Sequence, residues 1–144
     1  MFRQIVVGTD GSDTAAEALR QAIDLAAALD ARLDIVSAFG RPSSRADREG
    51  QVPTDVGHEV GEREDANMIL SVAASSARES GVETTTEAIR GDARQAILDA
   101  AARTGADLIV VGNRGMSGAR RILGSVPNAI SHHAPCSVMI VATI

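Results

Sequence analysis

Five short runs rich in β-branched residues recur along the chain, separated by longer stretches with a helical repeat. The runs are Gln4–Thr9 (QIVVGT), Arg32–Ala38 (RLDIVSA), Val82–Ala88 (VETTTEA), Ala106–Val111 (ADLIVV) and Cys136–Ala142 (CSVMIVA). The first and fourth are apolar at consecutive positions, as central parallel strands covered on both faces must be. The third alternates strictly and holds three threonines, which predicts a half-exposed edge. Between the runs, Ser12–Leu29 places Leu19, Ala22, Ile23, Ala26 and Leu29 on one helical stripe. A second helix about Glu59–Ser80 places Ile69, Val72, Ala73 and Ser76 on another, with Gly81 as its stop. A third, Asp92–Thr104, opens with Asp92 and Gln95 in capping-box spacing and is closed by Gly105. Ser125–His133 reads as a short fourth helix, with Ser125 as its N-cap and Pro127 tolerated in the first turn.

Regular alternation of strand and helix predicts one α/β domain over residues 1–144, a doubly wound five-stranded parallel sheet with helices on both faces. Right-handed crossovers leave few topologies. The first and fourth runs as the most buried strands suit the order 3-2-1-4-5. That order puts the topological switch point, where such sheets bind ligands, between strands 1 and 4. Phe39–Glu59 breaks the pattern with Gly40, Pro42, Gly50, Pro53 and Gly57. A mobile loop over about 40–58 is expected, either a solvated connection or a lid on the site.

Composition narrows the partners. The net charge of −5 speaks against a generic nucleic-acid binder, which needs a basic excess. All 14 Lys and Arg positions are arginine, which excludes a Walker-type phosphate loop and Schiff-base chemistry. The single Cys136 has no disulfide partner and sits in an apolar run, so a buried, inert thiol is expected. No apolar run approaches the ~20 residues of a membrane span, and Met1-Phe-Arg-Gln-Ile leads straight into a strand, so a cytoplasmic protein is expected.

Candidate chemistry gathers at two strand ends. After strand 1, Gly8-Thr9-Asp10-Gly11-Ser12 turns into a helix, and Asp10 stands at the mouth of the switch point. Its carboxylate suits ribose hydroxyls or a base amine, and equally suits a turn that bonds its own backbone. After strand 4 come Gly112-Asn113-Arg114-Gly115 and then Gly124-Ser125. Glycines let backbone N–H groups approach an oxyanion, and a helix start adds unpaired donors and a positive dipole end. Arg114, Arg120 and Arg121 lie in or between these turns, where a guanidinium can grip phosphate or merely face solvent. Two such turns converging on one switch point predict a nucleotide or phosphate site. His132 and His133 are adjacent on a helix and point apart, so they make a poor metal pair. No Ser/His/Asp or Cys/His constellation stands out, and neither a catalytic residue nor a metal site is assigned.

These residues together resemble the universal stress protein family over roughly residues 3 to 142. The matching points are Ile5-Val-Val-Gly-Thr-Asp10-Gly-Ser12, Gly91-Asp92, Ala106–Gly112, Gly112-x-x-Gly115…Gly124-Ser125-Val126, and Ala134-Pro135-Cys136 with the strand after it. The resemblance implies a 3-2-1-4-5 sheet and a homodimer through the last strand. It also implies an ATP site, built from Thr9, Asp10, Ala38, Val111, Gly112, Arg114, Gly115, Gly124, Ser125 and Val126, and the clustered phosphate charge of ATP is expected to bring Mg²⁺ with it. Asp10 then meets the adenosine portion and Ala38 lines the adenine pocket. The implied work is that of a regulatory binding module for stress, with at most weak ATPase or autophosphorylation activity, and no nucleic-acid or membrane partner. One departure is plain: eight residues, Met116–Leu123, separate Gly115 from Gly124, where the ATP-binding signature has nine. The shorter spacer keeps two alternatives in play, a cyclic-nucleotide binder and a dimeric interaction protein that binds no nucleotide.

Overall fold

The computed structural model describes residues 1–40, 55–113 and 124–143. Nine elements alternate among the described residues. They are β1 (Gln4–Gly8), α1 (Asp13–Leu29), β2 (Arg32–Phe39), α2 (Asp55–Glu79), β3 (Thr84–Arg90), α3 (Ala93–Thr104), β4 (Leu108–Gly112), α4 (Ser125–His133) and β5 (Ser137–Val141). The strands form one sheet in the order β3-β2-β1-β4-β5, and every pair is parallel. This is the doubly wound α/β topology expected from the alternation of runs.

Two apolar clusters sandwich the sheet, and the strand pleat divides residues between them. Ile5 and Val7 of β1, Leu33 and Ile35 of β2, and Leu108 and Val110 of β4 enter the cluster that α1 and α2 cover. Val6, Val36, Ile109 and Val111 enter the cluster beneath α3 and α4. Consecutive apolar residues thus serve both clusters in β1 and β4, and β2 proves as buried as these two although it carries Asp34 and Ser37 among its buried residues.

Four details differ from the sequence pattern. Strand β3 begins at Thr84 rather than Val82, because its extent follows its pairing with β2, from Leu33↔Thr84 to Phe39↔Arg90. Its edge position holds. Helix α2 already begins at Asp55 and takes in Gly57, since a glycine inside a helix costs only about 1 kcal/mol. The remainder of the loop expected over 40–58 lies outside the described residues, apart from Gly40. The buried stripe of α2 is Ala66, Leu70, Ala73 and Ala77, not one centred on Ile69, Val72 and Ser76. Alanines let the helix approach β2 and β3 closely, while Ile69 and Val72 line an open groove towards α1. The capping box at α3 is half made: Asp92 accepts from the Arg94 N–H, but the Gln95 side chain donates forward to Asp99.

Candidate functional site

Strand β1 has neighbours on both sides, β2 and β4, and the chain crosses from one side to the other between β3 and β4. Beyond the carboxyl ends of these strands lies a cleft of about 130 Å³. Gly8, Thr9 and Asp10 form its floor and one wall, with Ser12, Thr14 and Ala15 from the start of α1. Strand β2 adds Val36 and Ala38, the start of α3 adds Ala93 and Ile97, β4 adds Val111 and Gly112, and the start of α4 adds Val126 and Pro127.

The turn after β1 is tightly specified. The Thr9 N–H donates to the Val36 carbonyl at 2.9 Å, which carries β2 pairing one residue past the strand. The buried Thr9 hydroxyl oxygen accepts from the Gly11 N–H at 3.2 Å. Gly11 needs its positive φ of 80°, and a Cβ there would press on Ile69 at 3.0 Å. Asp10 Oδ1 accepts from the Ser12 N–H at 2.9 Å, so this carboxylate does bond its own turn while standing exposed at the cleft. Ser12 caps α1, its hydroxyl accepting from the Ala15 N–H at 3.2 Å. Gly8 is small for a different reason: a Cβ there would lie 2.5 Å from Ile97 Cδ1, across the floor of the cleft.

Three helices of the described structure thus begin at this mouth. The first turns of α1 and α3 are capped by Ser12 and Asp92. Helix α4 is not. Its N-cap is Gly124 rather than Ser125, and no side chain caps it. Gly124 takes the extended cap conformation, so Ser125 becomes the first helical residue. The first helical bond runs from the Asn128 N–H to the Gly124 carbonyl. The N–H groups of Ser125 and Val126 come before it, and Pro127 has none to give. An uncapped helix start carries both free donors and the positive end of a dipole, the chemistry that attracts an anion.

Of the site residues read from sequence, the structure brings Thr9, Asp10, Ala38, Val111, Gly112 and Val126 together in one cleft. Gly124 and Ser125 flank it at the start of α4 without lining it. Arg114 and Gly115, with Arg120 and Arg121, lie outside the described residues. The sequence reading missed Gly8, Ser12, Thr14, Val36, Ala93 and Ile97. Val36 was within reach, since it shares a strand face with Ala38, and so was Gly8, which ends the strand that delivers Asp10. It also missed Asn113. This residue is buried, and its side-chain carbonyl accepts from both the N–H and the hydroxyl of Thr143, at 2.9 and 2.6 Å. The pair ties the residue after Gly112 to the chain just past β5. Cys136 is half-buried rather than buried, and burial pushes its thiol above the usual range, with the Asp107 carboxylate adding to the effect. Among the described residues no group of three or more His, Cys, Asp or Glu could hold a metal ion, and no helix is long and apolar enough to cross a membrane.

The family model of the universal stress proteins matches residues 1–142. The chain belongs to the universal stress protein family. Among relatives, the universal stress protein Rv1636 of Mycobacterium tuberculosis is 38% identical over 144 residues, covering 99% of this chain and 97% of its own. YxiE of Bacillus subtilis, another universal stress protein, is 36% identical over 150 residues, with 98% and 99% covered. A crystal structure of a universal stress protein in complex with cAMP superposes with a TM-score of 0.76 at 32% identity, covering 99% of both chains.

Proposed function

We propose that this universal stress protein is a regulatory module that takes up an adenine nucleotide in the cleft beyond β1 and β4. The observation that carries this reading is the uncapped start of α4 meeting Gly112 and Asp10 at one switch point. Val36, Ala38, Ile97 and Val111 offer an apolar seat for a base. Asp10 offers a carboxylate for ribose hydroxyls, and Gly112 with the α4 start offers donors to phosphate. In this reading Arg114, Gly115, Gly124 and Ser125 complete the phosphate cradle. The cAMP complex of a family member at 32% identity supports the adenine assignment.

ATP is the proposed ligand. Asp10 is the one carboxylate among the described residues of the cleft, so Mg²⁺ would ride mainly on phosphate oxygens and water. Cyclic AMP is the second reading, favoured by the eight-residue spacer and by Pro127, which withdraws an N–H at the third helical position. A cyclic phosphate carries less charge and asks for fewer donors. No described cleft residue is arranged as a base or nucleophile with an orienting partner, so binding is proposed as the work, with slow hydrolysis or autophosphorylation as its upper limit. The edge at β5, which among the described residues pairs with β4 alone, supports a homodimer through that strand, and a cytoplasmic setting is proposed.

The test is direct. The chain has neither Trp nor Tyr, so it is nearly transparent at 280 nm and a co-purified nucleotide stands out near 260 nm. Calorimetry with ATP, AMP and cAMP should give saturable binding of at least one. Asp10→Ala should weaken it by about tenfold or more, since a hydrogen bond to a charged group is worth ~1.5–3 kcal/mol. A flat spectrum with no heat from any of the three would leave the chain a dimeric interaction protein with an empty pocket.

A further inference from the structure

Below the cleft, on the same face of the sheet, β2 buries a carboxylate. Asp34 is 1% exposed, flanked in register by Val6 of β1 and Thr85 of β3. Its Oδ1 accepts from the Thr85 hydroxyl at 2.8 Å. Glu87, two residues further along β3, meets Asp34 carboxyl to carboxyl. Arg103 of α3 pairs with Glu87 through Oε1. The remaining oxygens, Asp34 Oδ2 and Glu87 Oε2, are both buried and neither receives a hydrogen bond. Two ionised carboxylates in contact, served by one half-exposed guanidinium, repel each other. A single proton removes the repulsion and gives the pair the donor it lacks.

We propose that Asp34 and Glu87 hold one shared proton that fastens β2 and β3 beneath α3, and that its release as pH rises makes this a pH-responsive latch under the cleft. The other charged groups on this side of the sheet are already engaged. Arg32 and Glu83 pair at 3.1 Å at the solvent edge, Arg94 holds Asp92, and Asp99 accepts from Gln95. The Asp107 carboxylate accepts from the Arg3 and Gln4 N–H groups, and β1 contributes only Val6 opposite Asp34. Glu87 and Arg103 are therefore the groups that act on Asp34.

Burial pushes the Asp34 carboxyl from 3.8 up to about 7, and the Glu87 contact pushes the same way against Thr85 and Arg103. The proton belongs to the pair rather than to one residue. An unfolded chain releases it near pH 4. The folded chain therefore holds a proton that the unfolded chain has lost between about pH 4 and about 7. The stabilisation is full below that window, falls through it, and is gone above it. Val36 and Ala38 follow Asp34 on the same face of β2, and Ala93 and Ile97 begin the helix that Arg103 ends, so release of the latch loosens two walls of the cleft.

Urea unfolding of the nucleotide-free protein at pH 5, 6, 7 and 8, beside Asp34→Asn and Glu87→Gln, tests the latch whatever the cleft binds. In the wild type the folding constant should fall by up to about tenfold per pH unit within the window. In Asp34→Asn the amide is a permanent donor, so that fall should vanish and the variant should overtake the wild type at pH 8. Glu87→Gln should flatten the profile too, which keeps the test decisive if Asp34→Asn does not fold. Carboxyl ¹³C titration of the wild type should show the Asp34 carbon moving near pH 7. An Asp34 carbon titrating below pH 5, or an unchanged pH slope in both variants, would overturn the proposal.

Discussion

The two faces of the sheet are built to different rules. Beneath α1 and α2 the central strands present Ile5, Val7, Leu33, Ile35, Leu108 and Val110, with a single neutral hydroxyl, Ser37, towards the end of β2, and the helices answer largely with alanine. Beneath α3 and α4 the same strands present Val6, Val36 and Ile109, but also Asp34, and this face opens at its carboxyl end into the cleft. Neighbouring residues of β2 fall on opposite sides of this divide. Ile35 is wholly buried in the first face, Val36 lines the cleft, and Asp34 lies under it. One face is specialised for cohesion and the other trades cohesion for a hollow and a buried charge. A strand that serves both must be largely apolar, yet β2 spares one position on each side, a hydroxyl at Ser37 on the first and a carboxylate at Asp34 on the second.

The contrast can be broken most forcefully on the cohesive side. Ile35→Ala should cost about 2–5 kcal/mol in urea unfolding, the range for deleting a fully buried side chain, while the folded fraction keeps its nucleotide affinity within about twofold. A matching loss of affinity would show that the faces are not independent. Gly8→Ala probes the hollow side. The new Cβ would displace Ile97 into the cleft, so calorimetry should show about a tenfold weaker nucleotide for a stability loss of only about 1 kcal/mol. Adding Ile97→Val should restore affinity, and failure of that rescue would mean the floor does not set the width. The smallest effect belongs to the rim. Arg32→Ala breaks an exposed pair with Glu83 and should change stability by no more than about 0.5 kcal/mol, fading further in salt.

Much of the fold was legible because its signals are local or periodic. The runs at Gln4 and Leu108 announce covered strands, Ser12 and Asp92 announce helix starts, and Gly105 announces a stop with φ of 67°. What escaped depends on partners distant in sequence. The limits of β3 follow β2, which no local pattern reveals. The stripe of α2 was misread because Ile69 and Val72 outweigh alanine in hydrophobicity, while the site demanded small residues for close approach. For the cleft, Asp10, Ala38 and Gly112 were visible at strand ends. Ser12, Thr14 and Ile97 were not, since they arrive from helices whose orientation the sequence does not state. Asp34 looked like any polar residue in a strand until Thr85, Glu87 and Arg103 closed around it.

Asn113 closes a loop of its own. The chain leaves β4 at Gly112, and one side chain then grips Thr143, two residues after β5 ends. The Asn113 N–H meanwhile donates to the Val141 carbonyl at 2.9 Å. Three hydrogen bonds thus rivet the exit of one strand to the exit of its neighbour, like a hasp across two adjoining rails. Whatever strains the outermost rail is therefore felt at once at the end of β4.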